Sequence, residues 1–155
     1  MKAINAMTRD VVCISEQDSL ETARDLMKEW EIRHLPVMRG KRLVGILSNR
    51  DLLLYTEAEG FGTNQMSDRT VCEIMTLKPI TCSPVDSISH IAGLMIENKI
   101  DCVPIVEENE TGLLGLVTTT DLLELLRERD VMDSSRGVPW SYNVRMHAVN
   151  APGYI

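Results

Sequence analysis

Apolar and polar positions follow one another along the chain in an order that occurs twice. In the first half, an apolar run at 11–14 predicts a short strand, and apolar residues at helical spacing over 20–30 predict an amphipathic helix. Two more apolar runs, at 34–38 and 43–47, predict strands joined by a turn of hairpin length, and a second helix is predicted over 51–55. One unit of the chain therefore has the order β-α-β-β-α.

The second half of the chain predicts the same order of elements. They are a strand at 80–82, a helix over about 87–98, strands at 102–106 and 113–117, and a helix that ends near residue 129. Pro36 and Pro104 lie inside predicted strands. Because proline has no N–H to give to a ladder, we expect each of these strands to lie at a sheet edge or to begin there. The predicted fold class is α/β (α+β), with two tandem β-α-β-β-α repeats.

Sliding the sequence by 68 positions produces ten identities over the 32 positions that begin at residue 7, so the repeat is tandem. We place the first repeat and its linker at 1–68, the second repeat at 69–130, and a tail without a motif at 131–155. The linker prediction rests on 56–68, which is polar and contains two glycines. The aromatic residues of the tail favour docking on the core or on a partner subunit, and partial disorder is the alternative.

One pattern is repeated most clearly: a glycine, a short apolar run, a hydroxyl residue and, three positions later, an acid. Ser48 and Thr118 fall at predicted helix N-caps, with Asp51 and Asp121 in the first turn, where the helix dipole favours negative charge. The pattern is either a variant of the capping box that only starts a helix, or a place where a carboxylate and a hydroxyl lie beside exposed backbone N–H groups. The second arrangement suits a ribose or an anion.

Composition and charge limit the class of function. The 155 residues are 44% apolar, enough for one domain or two small halves that share a core. A net charge of −7 and a pI near 5.0 argue against nucleic acid as a partner, since phosphate binding needs a basic face. No signal-like apolar region starts the chain, and no apolar run approaches the roughly 18 residues that span a bilayer. We expect a soluble, cytoplasmic protein.

Residues that carry chemistry are few. Four cysteines without C-x-x-C spacing and three histidines predict neither a zinc site nor a disulfide framework, so we expect reduced and mostly buried thiols. The sequence shows no nucleophile with a base, no metal constellation and no phosphate loop of the GxxxxGK type. We therefore expect no enzymatic activity, no catalytic residues and no catalytic cofactor.

Taken together, several short segments resemble a known family. They are Met-Thr, the Asp-Ser-Leu/Ile helix start, Ile-Arg-His-Leu-Pro-Val, and the Gly-x-x-Ser/Thr-x-x-Asp ending, in which the first x is apolar. Over residues 7 to about 127 the chain resembles a tandem pair of CBS domains, or Bateman module. The resemblance implies two repeats packed sheet to sheet about a pseudo-two-fold axis, with two clefts. It also implies a regulatory module that binds an adenosyl ligand (AMP, ADP, ATP or S-adenosylmethionine) and acts on a separate protein partner.

The resemblance also implies roles for individual residues. The aspartate that binds ribose in the family corresponds to Asp51 and Asp121, and the hydroxyl that meets ribose or phosphate corresponds to Ser48 and Thr118. The basic residues that face phosphate correspond to Arg33 and His34. Pro36 and Pro104 are also expected to contact the ligand. In the second repeat, Asp101 and Cys102 occupy the positions of the basic pair, a departure from the family pattern. For Arg33 the alternative is a solvated surface arginine, and for His34 a strand-edge histidine bonded to backbone.

The last helix of each repeat is apolar around more of its circumference than a one-sided surface helix needs. Leucines occupy 52–54, 122–123 and 125–126. We expect the surplus apolar surface to pack against a second copy, which predicts a homodimer. Coverage of this surface by the tail is the alternative. Two alternative functions stay open. One is a module with degenerate clefts that serves only dimerisation or interaction, and the other is a sensor of S-adenosylmethionine.

Overall fold

The computed structural model describes residues 1–59, 63–107 and 112–134. The strands are β1 (Ile14–Ser15), β2 (His34–Arg39), β3 (Arg42–Ser48), β4 (Thr76–Leu77), β5 (Cys102–Val106) and β6 (Leu113–Thr118). The α-helices are α1 (Leu20–Glu29), α2 (Asn49–Glu59), α3 (Ile88–Asn98) and α4 (Thr119–Ser134). Short 3-10 helices cover Ala3–Asn5, Thr63–Asp68 and Val71–Glu73. The predicted mixed α/β fold class is confirmed.

The described residues form two compact units, and neither is a continuous stretch of chain. The first unit contains residues 1–10, 80–107 and 114–134, and the second contains 11–59, 63–79 and 112–113. The N-terminal segment thus joins the second repeat, and the segment before residue 80 joins the first repeat. The division at 1–68 and 69–130 stays a prediction about the repeats, because the compact units follow contacts instead of repeat boundaries.

In the second unit, four strands form one sheet in the order β1-β2-β3-β4. The β2–β3 hairpin turns at Gly40, whose φ of +59° favours glycine. The expectation that the strand of Pro36 lies at a sheet edge or begins there is wrong, since β2 lies between β1 and β3 and begins at His34, two residues before Pro36. The parallel pairing of β1 begins only at Ile14, opposite Val37. Because Pro36 has no N–H to donate, the pairing cannot extend to earlier residues. The strand predicted at 11–14 is therefore only Ile14–Ser15 in the structure.

In the first unit, β5 and β6 form a two-stranded sheet. The strand predicted at 80–82 is a single parallel bridge, in which Cys82 pairs with Ile105. Here the carbonyl of Pro104 accepts from the N–H of Cys82 at 3.0 Å, so the proline contributes its only backbone hydrogen-bonding group. The same absence of an N–H limits the pairing in both repeats.

The first helix of each repeat begins as the sequence predicts. Ser19 caps α1 by accepting from the N–H of Thr22, and Ser87 caps α3 by accepting from the N–H of His90. These bonds satisfy helix donors that otherwise have no partner within the helix.

Each unit has its own apolar core. That of the second unit is built around Ile14, Leu20, Leu35, Val37 and Leu47, all without exposed surface. That of the first unit is built around Ala3, Ile91, Val103, Ile105 and Val117, also without exposed surface. Fully burying a valine, leucine or isoleucine side chain contributes about 1.5–3 kcal/mol.

The linker prediction for 56–68 is wrong at both ends. α2 continues to Glu59, and Met66, only 4% exposed, belongs to the core of the second unit. The prediction for the tail is tested only up to residue 134, where α4 ends, and residues 135–155 lie outside the described residues.

Among the cysteines, Cys13, Cys82 and Cys102 are buried thiols and Cys72 is an exposed one, as predicted for most of them. Burial raises the pKa of Cys13 to about 12, so this thiol stays protonated at neutral pH. Within the described residues, no helix is both long and apolar enough to cross a bilayer.

Candidate functional site

The start of α2 joins two of the predicted site residues directly. The Oδ2 atom of Asp51 accepts from the backbone N–H of Ser48 at 2.8 Å and from the Ser48 hydroxyl at 2.7 Å. The N–H of Asp51 in turn donates to the Ser48 Oγ atom at 3.1 Å. This reciprocal pair is a capping box with aspartate in place of glutamate. Both bonds from Ser48 go to the Oδ2 atom, and the Oδ1 atom of Asp51 takes part in neither.

Arg33 and His34 lie at the same end of the β2–β3 hairpin. His34 is opposite Ser48 in the antiparallel register, and the Arg33 carbonyl accepts from the N–H of Asn49 at 2.9 Å. The Arg33 side chain is exposed and His34 is half-buried. The fold therefore brings Arg33, His34, Ser48 and Asp51 together around the first turn of α2.

The start of α4 repeats the arrangement in the first unit. The Oδ2 atom of Asp121 accepts from the N–H of Thr118 at 2.7 Å and from its hydroxyl at 2.8 Å. The carbonyl of Asp101 accepts from the N–H of Thr119 at 3.0 Å. Asp101 thus occupies the position that Arg33 has in the other unit, next to the helix start.

The two helix starts offer fewer free N–H groups than the sequence predicts. The N–H groups of Asn49 and Asp51 in α2, and those of Thr119 and Asp121 in α4, all donate within the protein. The prediction of exposed backbone N–H groups is wrong for these four positions, because the capping bonds and the preceding strand already occupy them.

Electrostatics differ between the two helix starts. Burial raises the pKa of Asp121, the nearby Glu124 raises it further, and the two bonds from Thr118 oppose this shift. Burial, with smaller contributions from Asp121 and Asp101, raises the pKa of Cys102 to about 12. The start of α4 is therefore rich in carboxylates where the start of α2 has Arg33 and His34.

Pro36 and Pro104 lie further along β2 and β5, and each is less than 2% exposed. In this structure both rings contribute to packing. A contact between either ring and a ligand stays a prediction.

The glycine that begins each copy of the pattern makes a close contact that sequence reasoning missed. A Cβ atom at Gly115 would lie 2.6 Å from the carbonyl oxygen of Thr8 and 2.9 Å from the Sδ atom of Met7. At Gly45 the equivalent contacts are 2.9 Å to the Thr76 oxygen and 2.8 Å to the Met75 Sδ atom. Glycine is required because each Met-Thr segment pairs closely with the strand that leads to the site. The repetition of Met-Thr was the available signal, although it did not say which glycine each copy meets.

The sequence profile of the CBS domain matches residues 1–57 and 71–128, which include both helix starts. The chain belongs to the CBS domain family. The CBS domain-containing protein YhcV of Bacillus subtilis (strain 168) is 30% identical over 118 residues, covering 76% of this chain and 80% of that protein.

Other CBS proteins are larger or carry ligands. Inosine-5'-monophosphate dehydrogenase of Korarchaeum cryptofilum (strain OPF8) is 38% identical over 121 residues, 78% of this chain but only 23% of that enzyme. The chain thus spans about a quarter of this relative. The CBS domain pair of protein MJ0100, solved in complex with 5'-methylthioadenosine and S-adenosyl-L-methionine, has a TM-score of 0.73 at 24% identity, covering 83% of this chain and 98% of that one. This likeness shows the shared CBS-pair fold.

Metal chemistry has no support in the part of the chain that the structure describes. No group of three or more His, Cys, Asp or Glu side chains there has an arrangement that holds a metal ion.

Proposed function

We propose that this CBS pair is a regulatory module that binds an adenosyl ligand at the starts of α2 and α4. The observation that carries the proposal is the duplicated capping pair, in which a carboxylate is fixed by a neighbouring hydroxyl and keeps one oxygen available. A carboxylate so fixed is suited to accept from the two hydroxyls of a ribose, and each such charge-assisted bond is worth about 1.5–3 kcal/mol. The ligands seen in the MJ0100 structure make the adenosyl class the first to test.

The two sites have different ligand preferences in this proposal. At the start of α2, Arg33 is exposed and always charged, and it binds a phosphate group of AMP, ADP or ATP, with His34 as a second donor. At the start of α4, Asp101 repels the same phosphate. The second site is therefore weak, empty, or open to an adenosyl ligand without phosphate, such as S-adenosylmethionine.

Ligand binding is transmitted to a separate protein partner, and the module performs no chemistry of its own. It acts in the cytoplasm as a homodimer, for which the exposed leucines of the last helices are the physical reason. Leu53 and Leu54 on α2 are 60% and 56% exposed, and Leu123 and Leu126 on α4 are 64% and 58% exposed. Apolar surface of this kind favours burial in a subunit interface.

A second candidate is an interaction module with degenerate sites. The complete capping bonds at both helix starts favour it, because Ser48, Asp51, Thr118 and Asp121 already have partners without a ligand. Thermal melts with AMP, ATP, adenosine and S-adenosylmethionine separate the two candidates. A ligand present at 100 times its Kd that binds only the folded state adds about 2.7 kcal/mol to the free energy of unfolding. If none of these compounds raises the melting temperature, the result favours the interaction module.

Arg33→Ala tests the assignment of the phosphate site. We expect weaker binding of AMP and nearly unchanged binding of adenosine, because adenosine has no phosphate for the guanidinium to hold. Calorimetric titrations of both ligands into both proteins measure the difference. Equal losses for the two ligands, or two equivalent tight nucleotide sites per wild-type chain, contradict the assignment.

A further inference from the structure

Each Met-Thr segment belongs to a larger structural feature that occurs once in each unit. The feature begins with a 3-10 helix, Ala3–Asn5 in the first unit and Val71–Glu73 in the second. The first residue of each of these helices is fully buried in the core of its unit. Its carbonyl accepts from the N–H of the methionine four residues later, at 2.8 Å for Met7 and 3.0 Å for Met75. A buried residue thus anchors each methionine to the core of its unit.

The methionine side chains fill the space beside two glycines. A Cβ atom at Gly115 would lie 2.9 Å from the Met7 Sδ atom and 3.0 Å from its Cγ atom. At Gly45 the corresponding distances to the Met75 atoms would be 2.8 and 3.1 Å. Met75 is buried, and Met7 is half-buried against the core of the first unit. Each thioether therefore packs directly on the strand that leads to a candidate site.

The threonine that follows each methionine pairs with the same strand. Thr8 and Leu116 exchange two backbone hydrogen bonds at 2.9 Å, and Thr76 pairs with Ile46 in the antiparallel register. In both units the paired strand residue lies two positions before the hydroxyl residue of the capping pair. Each strand is therefore held from the side just before the chain enters the helix.

A strand that is held at this point fixes the start of the helix that follows it. Thr118 is the last residue of β6, and its N–H and hydroxyl both donate to Asp121. Successive side chains of a strand point to opposite faces, so Met7, which packs on Gly115, lies on the face opposite to the Thr118 side chain. Met7 therefore influences the capping pair by fixing the position of the strand.

We propose that the two methionines are positioning residues, Met7 for the site at the start of α4 and Met75 for the site at the start of α2. Each methionine holds the end of its strand, and the strand end determines where the hydroxyl and the carboxylate of the capping pair lie. The inference rests on the proposed function, because it concerns the ligand sites assigned there. It gives the two Met-Thr segments a role in ligand affinity beyond their contribution to packing.

Hydrogen exchange in the ligand-free full chain tests the positioning itself. The reporters are the N–H of Thr118, bonded to Asp121, and the N–H of Ser48, bonded to Asp51. Met7→Ala should speed the exchange of Thr118 about ten-fold relative to Cys82, an amide of the same unit, since local opening frees the strand end. The exchange of Ser48 should not change. Met75→Ala should give the opposite result, with Ser48 released and Thr118 unchanged.

Two kinds of control separate positioning from general stability. Met7→Leu and Met75→Leu nearly conserve the side-chain volume, so exchange should return to the wild-type rates. Met95→Ala removes a buried side chain from the core of the first unit, but on α3. We expect this variant to speed Thr118 and Cys82 by the same factor, because it destabilises the unit without releasing the strand end.

Calorimetric titration with AMP and S-adenosylmethionine then tests the effect on binding. Met75→Ala should weaken AMP binding by roughly two- to thirty-fold and leave S-adenosylmethionine unchanged, and Met7→Ala should do the reverse. The leucine variants and Met95→Ala should bind both compounds like wild type.

Equal acceleration of Thr118 and Cys82 in Met7→Ala overturns the proposal, because the methionine would then only stabilise the core. Wild-type affinity for AMP in Met75→Ala overturns it as well. If neither compound binds the wild-type chain, the proposed function fails, and the exchange rates of the ligand-free proteins still support or overturn the positioning role by themselves.

Discussion

Asp51→Asn separates the capping role of this residue from its proposed ligand role. The Oδ2 atom of Asp51 accepts two bonds from Ser48, at 2.8 and 2.7 Å, and an asparagine carbonyl can keep both. The amide nitrogen then replaces the Oδ1 atom that would face the ribose. We expect the free energy of unfolding to fall by only about 1–2 kcal/mol, because charge-assisted bonds become neutral ones.

The same substitution should weaken ligand binding far more. A bond from a ribose hydroxyl to a carboxylate is worth about 1.5–3 kcal/mol, so its loss predicts an affinity of AMP lowered by about ten- to a hundred-fold. Calorimetric titration measures the affinity, and urea unfolding of the same protein measures the stability. Asp121→Asn applies the same test to the second site.

Asp86→Asn is the control for the effect of a lost carboxylate. The Oδ2 atom of Asp86 accepts from the N–H of Ser83 at 2.7 Å, and Asp86 precedes α3 instead of α2 or α4. We expect a similar small loss of stability with unchanged affinity. Wild-type affinity in Asp51→Asn, in Asp121→Asn and in the double variant would refute the ribose assignment and leave both aspartates as helix caps.

Three further predictions concern stability and assembly. Gly115→Ala should lower the free energy of unfolding by about 1–3 kcal/mol, because the new Cβ lies 2.6 Å from a backbone oxygen. The control Gly40→Ala meets no atom within 4 Å and adds only the strain of φ +59°, about 1–2 kcal/mol. If the double variant of Gly115→Ala with Met7→Ala unfolds like wild type, the clash is with the Met7 side chain and not with the backbone. Arg39 binds Glu16 through two hydrogen bonds, which hold the pKa of Glu16 below its usual value. Because the folded pKa of Glu16 is below the unfolded one, the ion pair stabilises the fold above the unfolded pKa, and this stabilisation is lost as pH falls through the folded pKa. Glu16→Gln should therefore lose less unfolding free energy than wild type when the pH is lowered. Parallel curves of unfolding free energy against pH for the two proteins would contradict this prediction. Light scattering should report a dimer for wild type and a mass near 17.4 kDa for Leu53→Lys, and a wild-type mass of 17.4 kDa would remove the dimer.

The two units exchange segments, because residues 1–10 belong to the unit that contains the second repeat. The Met-Thr segment at the beginning of the chain pairs with β6, where the N–H groups of Thr8 and Leu116 donate to each other's carbonyl oxygens at 2.9 Å. β6 ends at Thr118, one residue before the helix that starts the second site.

The order of elements, the helix caps and the repeat follow from the sequence alone. Ser19 and Ser87 cap the helices that the spacing predicts, and the capping pair of Ser48 with Asp51 lies where the pattern puts it. These features depend on residues within about one helical turn of each other, so the local sequence contains all the information that they need.

Only the tertiary structure decided which distant residues meet. It placed Met66 in a core instead of a linker, put β2 in the interior of its sheet despite Pro36, and joined Gly115 to the Met-Thr segment more than a hundred residues earlier. These outcomes depend on packing between segments far apart in the chain, where burial of apolar surface outweighs the local preference for a loop or an edge strand. Periodicity within one segment cannot specify the partner against which that segment packs.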